Sequence, residues 1–533
     1  MKKIIIVVFA SMLLLSACST DTSDTAVTVN DDGTRAVTVN VLRLGEPDTA
    51  TENDIVWEEI HRRFLADTGI DLTLNIEIQP WDTAHEMYVQ RLAAGDRIDA
   101  GQVHTGIIRT ILNSDRDALK PIDDWLPVYA PDYFSMLSDE AWRASTQFGN
   151  IVSMPQEALR AVWTVLGRTD ILRDQWGLNV MPDTLEDFEN LMAAIKENDP
   201  ESIPLTGAYW ALMMITMGIA NLPENYAWAS GFSMFVDDDE TIKPIFFHEN
   251  YPAFAEMLAR WITNGWIPTE AISMNNVDAD QMWFSGRSYM IANWYSLPIV
   301  NDIHVFRQTE PNAIVEYIQT PRGFDGVQRL HFNDPYEIQF VFPFTGNEDA
   351  QKAFMEYMNW SAKDPQNYRL TMYGIDGLFH TFDGNTIYPI FRDDNDNIVT
   401  DPDEIERIRE RNAANHIIRY ANLYAFFVTV REGYNAYLAD VPENLIYTEN
   451  VLSTIEITDR RLTGIVNFDY SINNIGIRNT DAENSILAML SEILSGQRPV
   501  SDLELVKEVY MENGGREVTD ELTRQYHEWL AEQ

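Results

Sequence analysis

Three tryptophans lie in predicted loops with polar or tyrosine neighbours, where their flat faces could contact a ligand. They are Trp81, Trp210 and Trp294, out of 14 Trp residues in the chain. Indole rings suit the apolar C–H faces of pyranose rings, while neighbouring polar groups bind the hydroxyls. Most Trp residues of a globular chain pack in its core, and this is the alternative for each of the three. We therefore treat them, with Tyr295 beside Trp294, as candidate carbohydrate contacts.

Two arginines and one histidine could add polar contacts to such a ligand. Arg160 and Arg168 carry guanidinium groups that can donate to sugar hydroxyls or bind a uronate carboxylate. His104 follows a predicted short strand, and open α/β sheets bind ligands beyond the carboxyl ends of their strands. Because the formal net charge is −45, a neutral or weakly charged sugar is expected rather than a polyuronate.

Motifs of catalysis and cofactor binding are absent from the sequence. It contains no GxGxxG, no Walker loop, no HExxH and no GxSxG, so no cofactor is predicted. Its 83 acidic residues would bring two carboxylates to glycosidase spacing by chance, so their abundance is no evidence for hydrolysis. The sequence predicts a binding protein rather than an enzyme.

One acidic stretch has the spacing of a calcium-binding loop. Asp393, Asn395, Asn397, Asp401 and Glu404 take positions one, three, five, nine and twelve of an EF-hand loop. The sharp turn of that loop requires Gly, and this chain has Ile there instead. A polar hairpin is the favoured interpretation, and no metal site is predicted.

The first residues have the pattern of a lipoprotein signal peptide. Lys2 and Lys3 precede an apolar run, residues 4–15, that is too short to span a membrane. Cys18, the only cysteine, follows in the sequence Leu-Ser-Ala-Cys. This pattern predicts removal of residues 1–17, acylation of Cys18 by a chain such as palmitate, and a flexible tether over residues 18–35. We expect a lipid-anchored protein on the outer face of a cell membrane.

Size and charge limit the fold and the partners. Removing 17 of the 533 residues leaves 516, more than one core usually organises, so at least two lobes are expected. Hydrophobic residues make up 45% of the chain, as in packed domains. The net charge of −45 would repel phosphates, which argues against nucleic-acid binding.

Strands and helices alternate from residue 35 onward. Every second residue is apolar from Val37 to Val41, a helix follows to Gly69, and a second strand covers residues 72–78. This order predicts a right-handed parallel unit of an α/β sheet.

A later helix is predicted to begin at a capping box formed by Asp183 and Glu186. Its apolar positions recur on one face, which should be buried: Phe188, Leu191, Met192 and Ile195.

Short motifs along nearly the whole chain resemble one family, the family 1 extracellular solute-binding proteins, and in particular its large lipoprotein subgroup of oligosaccharide and alginate binders. Residues 167–172 and 182–188 look like its Arg-x-Asp-x-Leu and Pro-x-Thr-Leu-x-x-Phe segments. Residues 203–207 resemble its Ile-Pro-Leu-Ser/Thr-Gly, residues 284–287 its Phe-x-x-Gly-Lys, and residues 373–377 its Gly-Ile-Glu-Gly, with Asp in place of Glu. Several relatives carry a calcium loop just before Ile-Pro-Leu. The corresponding residues here are too few to wrap a cation, so we expect that site to be absent.

The resemblance implies an α/β fold of two periplasmic-binding-protein-like lobes, with a hinge and a ligand cleft between them. We expect the first lobe to hold residues 36–160 and about 315–362, and the second lobe residues 161–314 and about 363–533. The implied function is that of a monomeric lipoprotein that binds a carbohydrate, expected to be an oligosaccharide, and delivers it to the permease subunits of an ABC importer. A secreted glycoside hydrolase and a surface adhesin are the alternatives.

Overall fold

A computed structural model gives the structure of the chain. It describes residues 27–30, 33–45, 53–115, 117–156, 162–223, 227–229, 232–295, 305–307, 309–329, 336, 338–384, 387–393, 397–401, 404–405, 407–408 and 480–532. The predicted signal peptide, Cys18 and Arg160 lie outside the described residues.

The amino-terminal part alternates strands with helices and ends in short elements. Between residues 27 and 156 the elements are β1 (Val27–Val29), β2 (Arg35–Leu44), α1 (Asn53–Thr68), β3 (Ile70–Gln79), α2 (Trp81–Ala94), β4 (Ala100–His104), α3 (Thr105–Ser114), α4 (Leu126–Tyr129), α5 (Pro131–Met136), α6 (Asp139–Ala144), β5 (Thr146–Gln147), β6 (Asn150–Ile151) and β7 (Ser153–Pro155).

The central part contains a second set of strands and helices. Between residues 162 and 318 these are β8 (Val162–Arg168), a π-helical turn (Asp170–Gln175), α7 (Leu185–Asn198), β9 (Ile203–Gly207), α8 (Tyr209–Ile219), β10 (Ala227–Ala229), β11 (Phe232–Val236), β12 (Ile242–Pro244), a 3-10 turn (Ile245–Phe247), α9 (Tyr251–Thr263), α10 (Asn276–Phe284), β13 (Ser288–Tyr295) and β14 (Val315–Ile318).

The carboxyl-terminal part adds one more strand, two long helices and a helical end. From residue 338 onward the elements are β15 (Ile338–Val341), α11 (Glu348–Lys363), α12 (Pro365–Tyr373), β16 (His380–Phe382), β17 (Ile387–Pro389), β18 (Phe391–Arg392), β19 (Ile398–Val399), α13 (Thr480–Leu494), a 3-10 turn (Val500–Asp502), α14 (Leu503–Tyr510), a π-helical turn (Met511–Gly515) and α15 (Arg516–Glu532).

The first sheet has six strands. Five of them follow the order β1-β2-β4-β15-β7, and the sixth, β3, pairs with β2 outside this order. β2 pairs in parallel with β3 over its whole length, as predicted from the strand–helix–strand pattern, and in parallel with β4. β15 and β7 then add in antiparallel pairing. The valines of β2 are buried in one core together with residues of α1 and α11, which cover this face of the sheet.

A buried carboxylate connects this sheet to the start of α11. Asp99, fully buried one residue before β4, accepts the N–H of Asn40 at 2.8 Å and that of Asn347 at 2.7 Å. The guanidinium of Arg97 donates to both of its oxygens, at 3.1 and 2.9 Å. The charge of Asp99 is thus paired and its lone pairs are used, as a buried carboxylate requires.

The second sheet has four strands in the order β14-β8-β13-β9. β13 is parallel to β9 and antiparallel to β8, and β14 is antiparallel to β8. The larger of the two cores against this sheet contains the face of α7 that the sequence predicted to be buried. Helices α8, α9 and α13 to α15 pack into the same core. The two sheets with their separate cores confirm the predicted α/β fold of two lobes.

Some local predictions were wrong. The predicted tether contains β1, whose residues Val27 to Val29 pair with β2. This added strand is too short to show a period-two pattern in the sequence. The capping box of α7 begins one residue later than predicted: Thr184 accepts the N–H of Asp187, and the Asp187 carboxylate accepts the N–H of Thr184, both at 3.1 Å.

Sheet membership also differs from the expected lobe boundaries. β14, which was expected in the first lobe, pairs with β8 of the second sheet. α12, which was expected in the second lobe, buries Tyr368 and Leu370 in the core of the first. Both differences arise because strand pairing and helix docking are non-local, and a boundary judged from local pattern does not report them.

Candidate ligand-binding site

One edge of the first sheet collects the ends of five strands. The parallel strands β2, β3 and β4 all end there, because Leu44 pairs with Gln79 and His104 pairs with Ile338 at the start of β15. Pro155 at the end of β7 pairs with the next residue of β15. We call this side of the first lobe edge 1.

Two candidate residues from the sequence lie at edge 1. Trp81 is the first residue of α2, two positions after β3 ends, and the structure places its backbone there without describing its side chain. His104 is the last residue of β4 and its side chain is exposed, with α3 starting at the next residue. The structure therefore places both residues at the same edge, as expected for residues that follow parallel strands.

Buried amide side chains lie beneath edge 1. Gln102 on β4 and Gln156 after β7 are only 8% and 5% exposed. The Gln102 carbonyl oxygen accepts the N–H of Leu44 at 3.0 Å, and its amide nitrogen donates to the carbonyl oxygen of Gln156. The N–H of Gln156 binds the carbonyl of Ile338 at 3.0 Å. Neither glutamine was singled out in the sequence, where an isolated Gln gives no signal.

The second sheet has a corresponding edge, where β9 and β13 end and β8 begins. Trp294 pairs with Trp163, and Tyr295 pairs with Val162, so the backbones of the predicted Trp294 and Tyr295 lie at this edge. Their side chains are outside the described set. We call this side of the second lobe edge 2.

Edge 2 carries a tryptophan pair. Trp210, in the first turn of α8, is half-buried, and its ring centroid lies 4.5 Å from that of Trp163 with the planes at 71°. Tyr209 beside it is 38% exposed. Gly207, at the end of β9, allows that strand to approach β13 closely, since a Cβ there would lie 2.7 Å from the Cβ of Ala292 on β13. Sequence reasoning missed Trp163, although it stands at the start of a strand just after a predicted crossover.

The chain brings the two edges close together. Only residues 157–161 separate Gln156 at edge 1 from Val162 at edge 2, and six Cα–Cα steps of an extended chain reach about 22 Å at most. This first connection therefore keeps the ends of β7 and β8 at edges 1 and 2 within about 22 Å of each other. A second connection runs from the end of β14 at Ile318 to the start of β15 at Ile338.

Arg168, also predicted to bind ligand, lies away from edge 2. It ends β8 at the opposite side of the second sheet, about 20 Å from Val162 at 3.3 Å per residue. Its side chain is 3% exposed and donates to Asp170 at 3.0 Å and to Glu310, with its guanidinium 4.4 Å from the Phe306 ring centroid. These two carboxylates raise the pKa of Arg168 against the opposing effect of its burial. The arginine predicted to bind ligand instead holds the Glu310 segment to the sheet.

The acidic stretch with calcium-like spacing forms a hairpin at the described positions. β18 pairs with β19, and the N–H and amide of Asn397 bind the Asp393 carboxylate at 2.8 to 3.2 Å. Asp401 accepts the N–H of Glu404 at 3.0 Å. Among the described residues no group of three or more His, Cys, Asp or Glu is placed to hold a metal ion.

The sequence model of one family, described as bacterial extracellular solute-binding protein, matches residues 46–359, more than half of the chain. The chain belongs to this family of bacterial extracellular solute-binding proteins. The matched region of this solute-binding protein includes all the described residues named at edges 1 and 2 except Leu44. No curated protein matches the chain significantly. Within the described residues, no helix has both the length and the apolar character needed to cross a bilayer.

Solved structures share the fold at low sequence identity. The N-glycan transport solute binding protein of Streptococcus pneumoniae is 14% identical, with a TM-score of 0.63 over 93% of this chain and 99% of that chain. An alginate-binding protein solved without calcium ion is 13% identical, with a TM-score of 0.66 over 94% and 99%. An HMO-binding, ABC-transporter-associated solute binding protein of Bifidobacterium longum infantis is 15% identical, with a TM-score of 0.62 over 92% and 98%. This likeness shows a shared fold.

Proposed function

We propose that this protein is the solute-binding lipoprotein of an ABC importer and that it captures a neutral oligosaccharide between edges 1 and 2. The observation that carries the proposal is the Trp163–Trp210 pair at edge 2, beside the exposed Tyr209. Five residues, 157–161, connect edge 2, which carries this pair, to the polar edge 1. Aromatic rings on one lobe and the exposed imidazole of His104 on the other match the apolar faces and the hydroxyl groups of a sugar.

The similar structures support a carbohydrate ligand. The Streptococcus pneumoniae protein has been solved with Man1GlcNAc and with Man5GlcNAc. Another Streptococcus pneumoniae substrate binding protein, 13% identical over 93% of this chain with a TM-score of 0.64, was solved with kestose. Each of these bound molecules is an oligosaccharide.

Charge favours a neutral ligand over a polyuronate. The formal charge of −45 disfavours bringing an anion to this protein unless cations line its site. Of the two predicted arginines, the structure describes Arg168, which is paired with Asp170 and Glu310 at the far side of the sheet. A uronate would depend on Arg160 alone among the predicted cations.

The proposed role requires no bond to be broken. A ligand that contacts both lobes stabilises the arrangement in which the lobes are closed, and the permease subunits recognise that arrangement. An acyl chain on Cys18 would keep the protein at the outer face of the membrane, within reach of the permease.

Thermal unfolding with a panel of sugars tests this function. Mature protein is heated with maltotriose, chitotriose, kestose or trimannuronate, each at millimolar concentration. A ligand that binds only the folded state raises the melting temperature, because it adds RT ln(1 + [L]/Kd) to the unfolding free energy. We expect a shift with at least one neutral trisaccharide and no new reducing ends after prolonged incubation. Release of shorter sugars would show a glycoside hydrolase, and no shift with any sugar would overturn the carbohydrate assignment.

A further inference from the structure

Residues 319–329, which follow β14, form a turn that is closed by its own side chains. The side-chain amide of Gln328 donates to the carbonyl of Thr320 at 2.7 Å. The guanidinium of Arg329, only 10% exposed, binds both carboxylate oxygens of Asp325, at 2.7 and 2.6 Å. We call residues 319–329 the closed turn.

The second lobe binds the closed turn at three points. Three backbone N–H groups of the turn donate to carbonyls of that lobe: Gln319 to Val180 at 3.3 Å, Arg322 to Asp183 at 2.9 Å, and Phe324 to Ile219 at 2.9 Å. Val180 and Ile219 are buried in the larger core of the second lobe. The closed turn is therefore part of the second lobe, although it follows the last strand of that lobe's sheet in sequence.

Gly323 allows the closed turn to lie against the end of α8. A Cβ at this position would lie 2.5 Å from the carbonyl oxygen of Ile219, so backbone atoms would have to move. Gly323 does not have a positive φ, so the close approach alone requires glycine here. Gly326 in the same turn is the opposite case, with a φ of +79° and no atom within 4 Å of an added Cβ.

The closed turn shortens the second connection between the lobes. Beyond residue 329 the next described residue is Tyr336, which is 5% exposed in the core of the first lobe and whose hydroxyl lies 3.1 Å from that of Ser138. Only the six residues 330–335 then link the lobes here, and they keep Arg329 within about 25 Å of Tyr336. Without the three bonds to the second lobe, the same connection would have the seventeen residues 319–335.

We propose that the closed turn is a conformational device that limits how far the two lobes separate. With a connection of seventeen residues, the lobes would turn further about the first connection, residues 157–161. The entropic cost of bringing the ends of a flexible connection together rises with its length, so release of the turn disfavours the arrangement in which the lobes are closed. This role needs no contact between the turn and a ligand.

The substitution Gly323→Ala releases the closed turn, because its Cβ displaces the turn from Ile219 and leaves the side chains of the turn unchanged. Hydrogen exchange of the peptide that covers residues 319–329 should be slow in the wild type and at least about tenfold faster in this variant. Gly326→Asn is the matched control, since Asn tolerates a positive φ and its side chain meets no neighbour. Exchange of the same peptide should stay slow in the control.

The separation of the lobes is measured without any ligand. In a Cys18→Ser background, spin labels are attached at Glu58→Cys on α1 and Glu256→Cys on α9, two exposed positions on different lobes. Pulsed electron resonance should give a broader distribution that extends to longer distances when Gly323→Ala is added. The control Gly326→Asn should leave the distribution as it is.

A second variant lengthens the connection and leaves the closed turn in place. Insertion of about six Gly and Ser residues after Arg329 should broaden the distance distribution, while exchange of the turn stays slow. This insertion decides the inference if Gly323→Ala does not fold. Exchange in Gly323→Ala as slow as in the wild type, or an unchanged distance distribution in both the variant and the insertion, would overturn the inference.

Sugar affinity gives a further consequence, which rests on the proposed function. Because the connection grows from six to seventeen residues, we expect Gly323→Ala to lower the affinity for the best sugar of the panel about fivefold. If the wild type binds no sugar of the panel, the proposed function fails. The distance measurement still decides the role of the closed turn in that case, because it is made without ligand.

Discussion

At the scale of single residues, the aromatic groups of edge 2 carry most of the functional argument. Trp163 is 4% exposed and supports Trp210, which is the more accessible of the two rings. A ring held edge-on by another aromatic loses little freedom when a ligand stacks on it, so its burial contributes to affinity with little entropic cost.

Replacing Trp210 by Ala should therefore weaken sugar binding about 10- to 100-fold, the range expected for an aromatic residue at the centre of a site. Titration calorimetry with the best sugar of the panel measures the change. Trp529→Ala is the control, since Trp529 packs against the same core from α15 but outside the site. If the affinities of both variants stayed within about threefold of the wild type, Trp210 would have a purely structural role.

His380 should make folding sensitive to acid. It is 1% exposed, its Nδ1 lies 3.2 Å from the carbonyl oxygen of Tyr373, and its Nε2 is buried without a hydrogen-bond partner. Burial lowers its pKa from 6.5, and the nearby Arg369 lowers it too, against the raising effects of the Tyr373 carbonyl and Asp376. Protons therefore bind the unfolded chain more tightly than the folded one, and stability falls as pH drops below 6.5, by up to about 1.4 kcal/mol per pH unit until the folded pKa is reached.

The contribution of His380 is measured as a difference from His380→Phe. Urea unfolding of both proteins between pH 7.5 and pH 5 should show the wild type losing stability relative to the variant as pH falls. The comparison removes the effect of the many carboxylates, which titrate in both proteins. A constant difference across this range would contradict a buried, neutral His380.

At the scale of elements, local pattern predicted what is locally determined. The alternation in β2 and the apolar face of α7 appear in the structure as expected, because burial on one face fixes period 2 in a strand and period 3.6 in a helix. Sequence order also placed Trp81 and His104 at one sheet edge, since parallel strands all end on the same side.

Properties that depend on distant partners were not predictable in the same way. Nothing near Arg168 indicates that Glu310, more than a hundred residues later, binds its guanidinium. Likewise, the pairing of β14 with β8 and the Gln102–Gln156 hydrogen bond depend on chain segments that only the tertiary fold brings together. The motif Arg-x-Asp-x-Leu was recognised, and in the structure its Arg168 and Asp170 pair with each other.

The loop after α7 is held by hydrogen bonds between groups of the protein. The Lys196 ammonium donates to the carbonyl of Ser202 at 2.7 Å, and the Tyr289 hydroxyl donates to Asp199 at 3.1 Å. The hydroxyl of Ser202 also donates to the carbonyl of Asp199, at 2.7 Å. Three oxygen acceptors of the loop, the Ser202 carbonyl and the Asp199 carbonyl and carboxylate, thus accept hydrogen bonds from the protein itself.

We therefore expect EDTA and calcium to leave the melting temperature unchanged, while Lys196→Met lowers the free energy of unfolding by about 1.5–3 kcal/mol, the worth of a charged hydrogen bond. Lys363→Met is the control, since Lys363 is 65% exposed and lies 3.9 Å from its partner Asp132; it should change stability by less than about 0.5 kcal/mol. A fall of many degrees on adding EDTA, reversed by calcium, would reveal a metal site.

At the scale of the whole molecule, the anchor and the lobes should act independently. Cys18 precedes the first described strand, which begins at Val27, by only nine residues, so an acyl chain there would hold the first lobe close to the bilayer. Changing Cys18 to Ala should move the protein from the detergent-extracted membrane fraction to the soluble fraction or the medium, since the apolar run alone gives no stable anchor. The sugar affinity of the purified protein should be unaffected. Full retention in the membrane would exclude lipid attachment through Cys18.

The central claim, that sugar binds between the two lobes, is tested most directly by the distance between them. Changing Cys18 to Ser removes the only cysteine, so new cysteines at two exposed positions, Glu86 on α2 and Glu186 on α7, can carry spin labels alone. Pulsed electron resonance then gives the distance distribution with and without the sugar that raises the melting temperature. The account predicts a shorter and narrower distribution with that sugar, and none of this change with a sugar that does not bind. An unchanged distribution, in a sample that calorimetry shows to be saturated, would contradict binding between the lobes.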